Sequence, residues 1–348
     1  MDYGTFRKLF FGFDPEKTHD IILCMMQEKS FRFLARKVFG GLEYSDQKLK
    51  QTLFNEEFSN PVGLAAGFDK NAQIADVIGQ FGFGYTEVGT VTRLPQVGNE
   101  KPRLFRFPEE KSLQNSMGFN NAGSDSIASN LARADINMPV GISIGKGMGT
   151  DLSKAIDDYI YLVSKLEKYA TYLAVNVSSP NTKGLRSLEN SDFLGELFST
   201  AKTITKKPML LKIDPDIDAK TALEVCSAAI DNGANGIIAT NTSKDYSLLK
   251  HPKNFGGISG RAIAGKSMKM LKILADEFFG QTILVSVGGI DSADEAYDRI
   301  LNGAALLQVY TGFIFEGPTI AKSINEGIAS RLKKDGYENI VDAIGAGL

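Results

Sequence analysis

The stretch Tyr172-Leu173-Ala174-Val175-Asn176-Val177-Ser178-Ser179-Pro180-Asn181-Thr182-Lys183-Gly184-Leu185-Arg186 begins as an apolar run and breaks into amides, hydroxyls and a proline. The run has strand character and is bounded by turn residues. Pro180 has no N–H to give, so a sheet ladder cannot continue through it. The segment therefore reads as a buried strand that delivers polar side chains at its C-terminal end. Asparagine presents a donor and an acceptor together, which suits the edge of a planar amide or imide ring. Ser178 or Ser179 is a candidate proton acceptor. A polar βα loop with a tight turn is the plainer reading of the same residues, and the rest of the chain weighs between the two.

Seven further apolar runs with strand character lie at 62–66, 85–88, 140–144, 209–213, 236–239, 283–287 and 306–310. Helical patterns follow most of them, at 71–80, 153–169, 219–232, 267–279, 292–302 and 318–333. Eight β-then-α units predict an α/β chain folded as a (β/α)8 TIM barrel with a small N-terminal helical extension. A doubly wound open sheet is the alternative, and it needs no eighth unit. Three connections exceed the usual few residues, at 90–121, 178–190 and 241–266. Barrel enzymes keep their chemistry on such loops, at the C-terminal ends of the strands.

Those strand ends form a polar ring. They carry Ala65-Ala66-Gly67-Phe68-Asp69-Lys70, Gly89-Thr90, Ser143 with Lys146, Asn176, Lys212, Thr240-Asn241-Thr242, Gly288-Gly289 and Tyr310-Thr311-Gly312. Gly288-Gly289 and Thr311-Gly312, after the seventh and eighth strands, offer backbone N–H groups where barrels commonly hold a phosphate. The small residues ending the first strand leave room for a flat ring. A lysine beside such a ring stabilises negative charge that develops on it. No G-x-G-x-x-G follows a first strand, so a dinucleotide fold is not supported. A phosphate and a flat ring without that fold point to FMN.

Composition narrows the classes further. The chain has 348 residues and a net charge of −2, without the basic excess of a nucleic-acid binder. Cys24 and Cys226 lie on apolar stretches and read as small core residues of a reducing compartment. With only His19 and His251, a zinc site is not expected. Residues 1–42 differ from the rest: seven Lys/Arg stand against five Asp/Glu. Phe6, Leu9, Phe10 and Phe13 share one helical face. Asp14-Pro15 starts a second helix as N-cap and first position, and Ser30 is a candidate cap for a third. The division expected is 1–42, an amphipathic segment packed on its own domain or laid on a membrane, and 43–348, the barrel.

Taken in order, the motifs resemble those of the dihydroorotate dehydrogenase family, specifically its membrane-associated, quinone-dependent class 2. The matching stretches are Phe6-Arg7-Lys8, Asp14-Pro15-Glu16 with His19, Asn60-Pro61, Gly63-Leu64-Ala65-Ala66-Gly67, Gly89-Thr90-Val91-Thr92, Lys101-Pro102-Arg103-Leu104-Phe105-Arg106, Met117-Gly118-Phe119-Asn120-Asn121, Asn176 to Arg186, Ala239 to Thr242, Gly257-Ile258-Ser259-Gly260 and Val287-Gly288-Gly289-Ile290. The resemblance implies oxidation of dihydroorotate to orotate, with FMN as hydride acceptor and a membrane quinone as final acceptor. It implies Ser179 as the catalytic base, taking a proton from C5. It places substrate among Lys70, Asn115, Ser116, Met117, Gly118, Phe119, Asn176, Asn181, Asn241 and Thr242. FMN falls to Ala66, Gly67, Lys70, Thr90, Ser143, Asn176, Lys212, Thr240, Gly260, Gly289, Tyr310 and Thr311. The quinone falls to His19, Arg106 and Tyr310, with His19 and Arg106 as donors to its oxygens. It further implies peripheral attachment to lipid on the cytoplasmic face of a bacterial-type membrane, with no nucleic acid and no obligate protein partner. The chain departs from the family pattern at Ser143 and Gly147, where many members carry asparagine, at Ser116 for arginine and at Ala262 for proline. A soluble FMN enzyme using fumarate or nicotinamide, and a non-redox phosphate-binding barrel, are the competing readings.

Overall fold

A computed structural model of the protein describes residues 3–39 and 41–348. Three helices come first: α1 (Tyr3–Phe11), α2 (Pro15–Gln27) and α3 (Lys29–Phe39). A hairpin follows, β1 (Gln51–Leu53) with β2 (Glu56–Phe58). Then come β3 (Val62–Leu64), β4 (Tyr85–Val91), β5 (Leu104–Phe107), β6 (Ser112–Asn115), α4 (Gly123–Arg133), β7 (Val140–Ile144), α5 (Ala155–Leu166), β8 (Tyr172–Asn176), α6 (Ser191–Lys202), β9 (Met209–Ile213), α7 (Ala219–Asp231) and β10 (Gly236–Ala239). The chain closes with β11 (Gly257–Gly260), α8 (Ala264–Phe278), β12 (Ile283–Val287), α9 (Ala293–Leu301), β13 (Leu306–Val309), α10 (Thr311–Glu316), α11 (Ile320–Asp335) and α12 (Ile340–Ala343). The eight expected strands pair in parallel around a closed barrel, β3-β4-β7-β8-β9-β10-β12-β13 and back to β3.

Each barrel strand is buried on both faces, which is why each reads as a continuous apolar run. Inward residues, among them Tyr85, Tyr172, Leu210, Ile238 and Leu306, pack as one cluster. Outward residues join the helices in a second, larger one. Inside the barrel, tyrosine rings lie against neighbouring strands where only glycine fits. A Cβ on Gly63 would come within 2.3 Å of the Tyr85 ring, and one on Gly141 within 2.2 Å of the Tyr172 ring. The β1–β2 hairpin plugs the N-terminal end. Phe58 meets Tyr85 at 5.4 Å between ring centroids and Phe54 meets Tyr172 at 5.9 Å.

Several sequence expectations are corrected. Residues 71–80 form no α-helix, only a 3-10 turn at Ile78–Phe81. The Asp69 carboxylate accepts the N–H groups of Gln73 and Ile74 at 2.8 and 2.9 Å and so takes the partners a helix would use. Asp14 does cap α2, accepting from Lys17 N, but Ser30 lies inside α3, which begins at Lys29. Phe13 falls beyond the end of α1. Cys226 is buried as expected, whereas Cys24 is exposed. Of the segment 1–42, Met1, Asp2 and Gly40 lie outside the described residues.

The long connections after β4 and β10 are not irregular. They contribute β5, β6 and β11 to one antiparallel sheet, ordered β11-β6-β5. Residues about 140 apart in sequence thus pair, with Gly257 opposite Asn115 and Gly260 opposite Ser112. This sheet roofs the C-terminal mouth of the barrel, and α2 packs against β5.

Candidate active site

The roofed mouth covers a cleft of about 1130 Å³, its solvent-open part included. Ser179 opens on it from the segment after β8, and Asn176 from the last position of that strand. Lys70, Asn115, Met117, Gly118, Phe119, Asn181, Asn241 and Thr242 line the same space. So do Ala66, Gly67, Thr90, Lys212, Thr240, Gly260, Gly289, Tyr310 and Thr311. Three of the expected or neighbouring residues face elsewhere. The Ser116 hydroxyl accepts from Asn99 Nδ2 at 3.2 Å, holding the loop rather than the cleft. Ser143 is fully buried behind Thr90, their hydroxyls 2.8 Å apart. Lys146 gives its ammonium to the carbonyls of Gly147 and Thr150.

A hydrogen-bonded belt joins five strand ends. Ser143 bonds Thr90, and Thr90 Oγ1 accepts from Asn176 Nδ2 at 3.0 Å. Asn241 Nδ2 donates to Asn176 Oδ1 and to Ser178 Oγ, each at 3.1 Å. Ser178 Oγ in turn donates to the Lys212 carbonyl at 2.6 Å. This settles the orientation of the two serines. Ser178 is built into the wall, while the Ser179 hydroxyl has the Asn181 N–H at 3.3 Å and the cleft beside it. From the opposite side Asn181 Nδ2 donates to Asn115 Oδ1 at 3.0 Å. The oxygens Asn181 Oδ1, Thr242 Oγ1, Asn120 Oδ1 and Thr182 Oγ1 are buried without a hydrogen-bond partner. Buried polar atoms are usually paired, so unpaired ones around a cleft mark places for a ligand's polar groups.

The charges are arranged across the floor. Lys212 lies 3.6 Å from Glu87, and both side chains are buried. Burial holds the Lys70 ammonium below its ordinary pKa, against the pull of Asp20, Glu16 and Asp69. Burial pushes the Tyr310 phenol up to about 12, so it stays protonated. The sequence motifs assign no role to Glu87 or Gln308, and include Ser259 only within the stretch 257–260. Glu87 carried the same signal as Lys212, a charge inside an apolar strand, which asks for a partner.

A second cavity, of about 970 Å³, lies between the N-terminal helices and the barrel. Its walls are mainly apolar, including Phe6, Phe10, Ile22, Phe31, Phe68 and Phe313. His19, Arg106 and Tyr310 line it, and Leu104, Leu113 and Tyr310 belong to both cavities. Arg106 donates to the Phe13 carbonyl at 2.8 Å and lies 4.6 Å above the Phe11 ring. His19 Nε2 sits 2.9 Å from the Phe68 carbonyl and therefore carries the proton it donates there. Burial, reinforced by Lys70, depresses the His19 pKa to about 3. The ring is thus neutral and its remaining nitrogen is an acceptor, so His19 is not the donor to a quinone oxygen that the resemblance implies; its one N–H is held by the Phe68 carbonyl.

Comparison with known proteins bears on these two cavities. The family model described as dihydroorotate dehydrogenase matches residues 48–332. A protein of a Nitratiruptor species named dihydroorotate dehydrogenase (quinone) is 50% identical over 347 residues, 99% of each chain. Its namesake in Helicobacter acinonychis (strain Sheeba) is 46% identical over 350 residues, 100% of each. Among solved structures, ligand-free DHODH from Eimeria tenella superposes with a TM-score of 0.85 at 33% identity, covering 96% of this chain and 99% of that one.

Proposed function

From the premise that this chain belongs to the dihydroorotate dehydrogenase family, in its quinone-dependent class 2, we infer how its two cavities divide the reaction. The enzyme oxidises dihydroorotate to orotate in pyrimidine biosynthesis and passes the electrons to a quinone. The observation that carries the reading is the shared wall. A cleft rimmed by asparagines and lysines abuts a cavity with a far more apolar lining, and among the described residues Leu104, Leu113 and Tyr310 are common to both. A heterocycle with imide and carboxylate edges suits the first, and a quinone with a hydrocarbon tail suits the second.

The family is flavin-dependent, and the cleft's donor set fits FMN. Lys212 lies on the floor, the small residues Ala65, Ala66 and Gly67 admit a flat ring, and Gly288-Gly289 with Thr311 suit a phosphate at the far end. Buried unpaired oxygens at Gln308 and Thr242 await donors. FMN held there would supply the acceptor for the hydride from substrate C6 and a carrier for the electrons bound for quinone.

The residues of the chain do the rest. Asn115, Asn176, Asn181, Asn241 and Thr242 grip the substrate's amide edges, and Lys70 neutralises its carboxylate. The Ser179 oxygen takes the proton from C5. A neutral hydroxyl is a weak base, so its own proton must move on as the new one arrives. Thr182, close in the same segment with an unpaired buried hydroxyl, is the candidate next carrier. His19, Arg106 and Tyr310 frame the quinone head.

The N-terminal helices form the membrane foot, and residues 43–348 the catalytic domain. No helix among the described residues is long and apolar enough to cross a membrane. Supporting attachment to a lipid surface, which we place on the cytoplasmic face, are the exposed Leu9, Ile21, Phe33, Leu34 and Val38 on these helices and Phe13 between the first two. Lys8, Lys29, Arg36 and Lys37 are exposed among them, as an anionic surface would favour. Stopped-flow absorbance tests the whole reading. Dihydroorotate should bleach the flavin band, and added quinone should restore it; a purified protein with no flavin band, or one that dihydroorotate leaves unbleached, refutes it.

A further inference from the structure

Beneath the cleft, inside the barrel, lies a charged group that touches neither cavity. Glu87 stands on β4 two residues before Gly89, and it is completely buried. Its Oε2 accepts the Tyr172 hydroxyl at 2.9 Å and Gln308 Nε2 at 2.7 Å. Burial drives the Tyr172 phenol well above its ordinary pKa, so that hydroxyl remains a donor. The other oxygen, Oε1, has no hydrogen bond and lies 3.6 Å from Lys212 Nζ. Among the described residues no other ion pair involves either side chain. In a dry interior, each charge is costly without the other.

The geometry assigns roles on the two sides of this pair. Lys212 and Gln308 line the cleft, whereas Glu87 does not. The gap to Lys212 exceeds the roughly 2.7–2.9 Å of a charge-assisted hydrogen bond. The ammonium is therefore balanced in charge while its N–H donors stay free for the cleft. The two donors on Oε2 fix the carboxylate from the side away from the lysine.

We propose that Glu87 is a positioning residue for Lys212, the counter-charge that sets how much positive potential this lysine presents to the flavin ring. The inference rests on the reading of the cleft as an FMN site. An anion close behind the lysine opposes the gain of electrons by the ring, because it cancels part of the charge that stabilises the reduced form. Glu87 thus keeps the bound flavin's potential low enough to pass electrons on to the quinone.

The test is reductive titration of the FMN-loaded enzyme against a reference dye, in the parent, Glu87→Gln and Glu87→Asp. Glutamine keeps the shape and removes the charge. The midpoint should rise by about 30 mV, a tenfold shift toward the reduced form for a two-electron couple. Aspartate keeps the charge and should return most of the way to the parent. An unmoved midpoint in Glu87→Gln overturns the assignment, and so does an aspartate variant shifted as far as the glutamine one. Melting of the flavin-free proteins decides the case in which Glu87→Gln sheds its flavin or folds poorly. With a balancing pair, Glu87→Gln combined with Lys212→Met melts above Glu87→Gln alone. A double variant no more stable than that single one makes Glu87 a packing residue and overturns the proposal. A parent enzyme that binds no FMN refutes the proposed function together with this inference, whereas a yellow parent with an unmoved variant refutes this inference alone.

Discussion

Ser178 and Ser179 are adjacent in the chain and sit in different surroundings. Ser178 Oγ is spent on the Lys212 carbonyl and the Asn241 amide, and only Ser179 opens on the cleft. Ser179→Ala should keep FMN and slow flavin bleaching by dihydroorotate by about 10² to 10⁴, the usual worth of a general base. Bleaching at the parent rate in stopped flow would remove Ser179 from that role. Ser178→Ala acts differently. It takes the hydroxyl donor from the Lys212 carbonyl and the acceptor from Asn241 Nδ2, a loss of about 1 kcal/mol, so it should lower the melting temperature and loosen the belt that holds Asn241. A melting temperature equal to the parent's would show that the belt tolerates the gap.

At the scale of elements, the N-terminal helices are tied to the barrel more firmly than an amphipathic foot requires. Glu16 of α2 forms a buried ion pair with Arg103, 2.7 Å apart, just before β5. Arg32 of α3 reaches Gln80 Oε1 at 3.0 Å, and the Tyr3 hydroxyl of α1 donates to the Ile314 carbonyl at 2.9 Å. Deleting residues 1–42 would uncover Phe68, Phe81 and Phe313, so point changes separate the functions more cleanly. Glu16→Gln leaves Arg103 buried without its counter-charge, at a cost of about 3 kcal/mol. Calorimetry should record the loss, with quinone re-oxidation slowed more than bleaching. Changing exposed Phe33 and Leu34 together to Asp should release the enzyme from anionic vesicles in a sedimentation assay while leaving bleaching by dihydroorotate intact. A doubly substituted protein that still sediments with vesicles would count against the membrane foot.

For the whole molecule, buried titratable groups set how stability changes with pH. Burial raises the Glu189 carboxyl to about 8, against the hydrogen bond it accepts from the Asp214 N–H. Burial raises Asp214 to about 6, against the pull of Arg186. Each binds a proton in the fold that the unfolded chain has already released. Their contributions are complete below the ordinary carboxylate range and are lost as pH rises through about 6 for Asp214 and about 8 for Glu189. His19 has the opposite sign. Depressed to about 3, it contributes fully above 6.5 and loses that contribution as pH falls. Of these three groups, Glu189 makes the largest change between pH 6.5 and 8, with Asp214 and His19 completing theirs near the lower end. Stability should therefore fall across that window, by up to about 1.4 kcal/mol per pH unit. Glu189→Gln should flatten the fall, and a melting series in which parent and variant run parallel would contradict the assignment.

The same scale separates what the linear chain encodes from what closure of the barrel decides. The eight strands were legible because each is buried on both faces, and double burial writes an uninterrupted apolar run into the sequence. The polar strand ends were legible for a related reason: at 176, 212 and 240–242 the apolar run stops abruptly in amides, a lysine and threonines. Direction and partnership were not. Whether Ser178 or Ser179 faces the cleft depends on the Lys212 carbonyl of the next strand. Residues 71–80 have helical spacing, yet the Asp69 carboxylate captures the N–H groups of Gln73 and Ile74. The roof over the site exists because β11 pairs with β6 from a loop on the far side of the barrel. Glu87 and Lys212 each announce a buried charge from their own strands, but their meeting at 3.6 Å follows from ring closure. Burial patterns repeat over a few residues and can be read locally; distances across the barrel are set by all eight strands together, and no single stretch contains them.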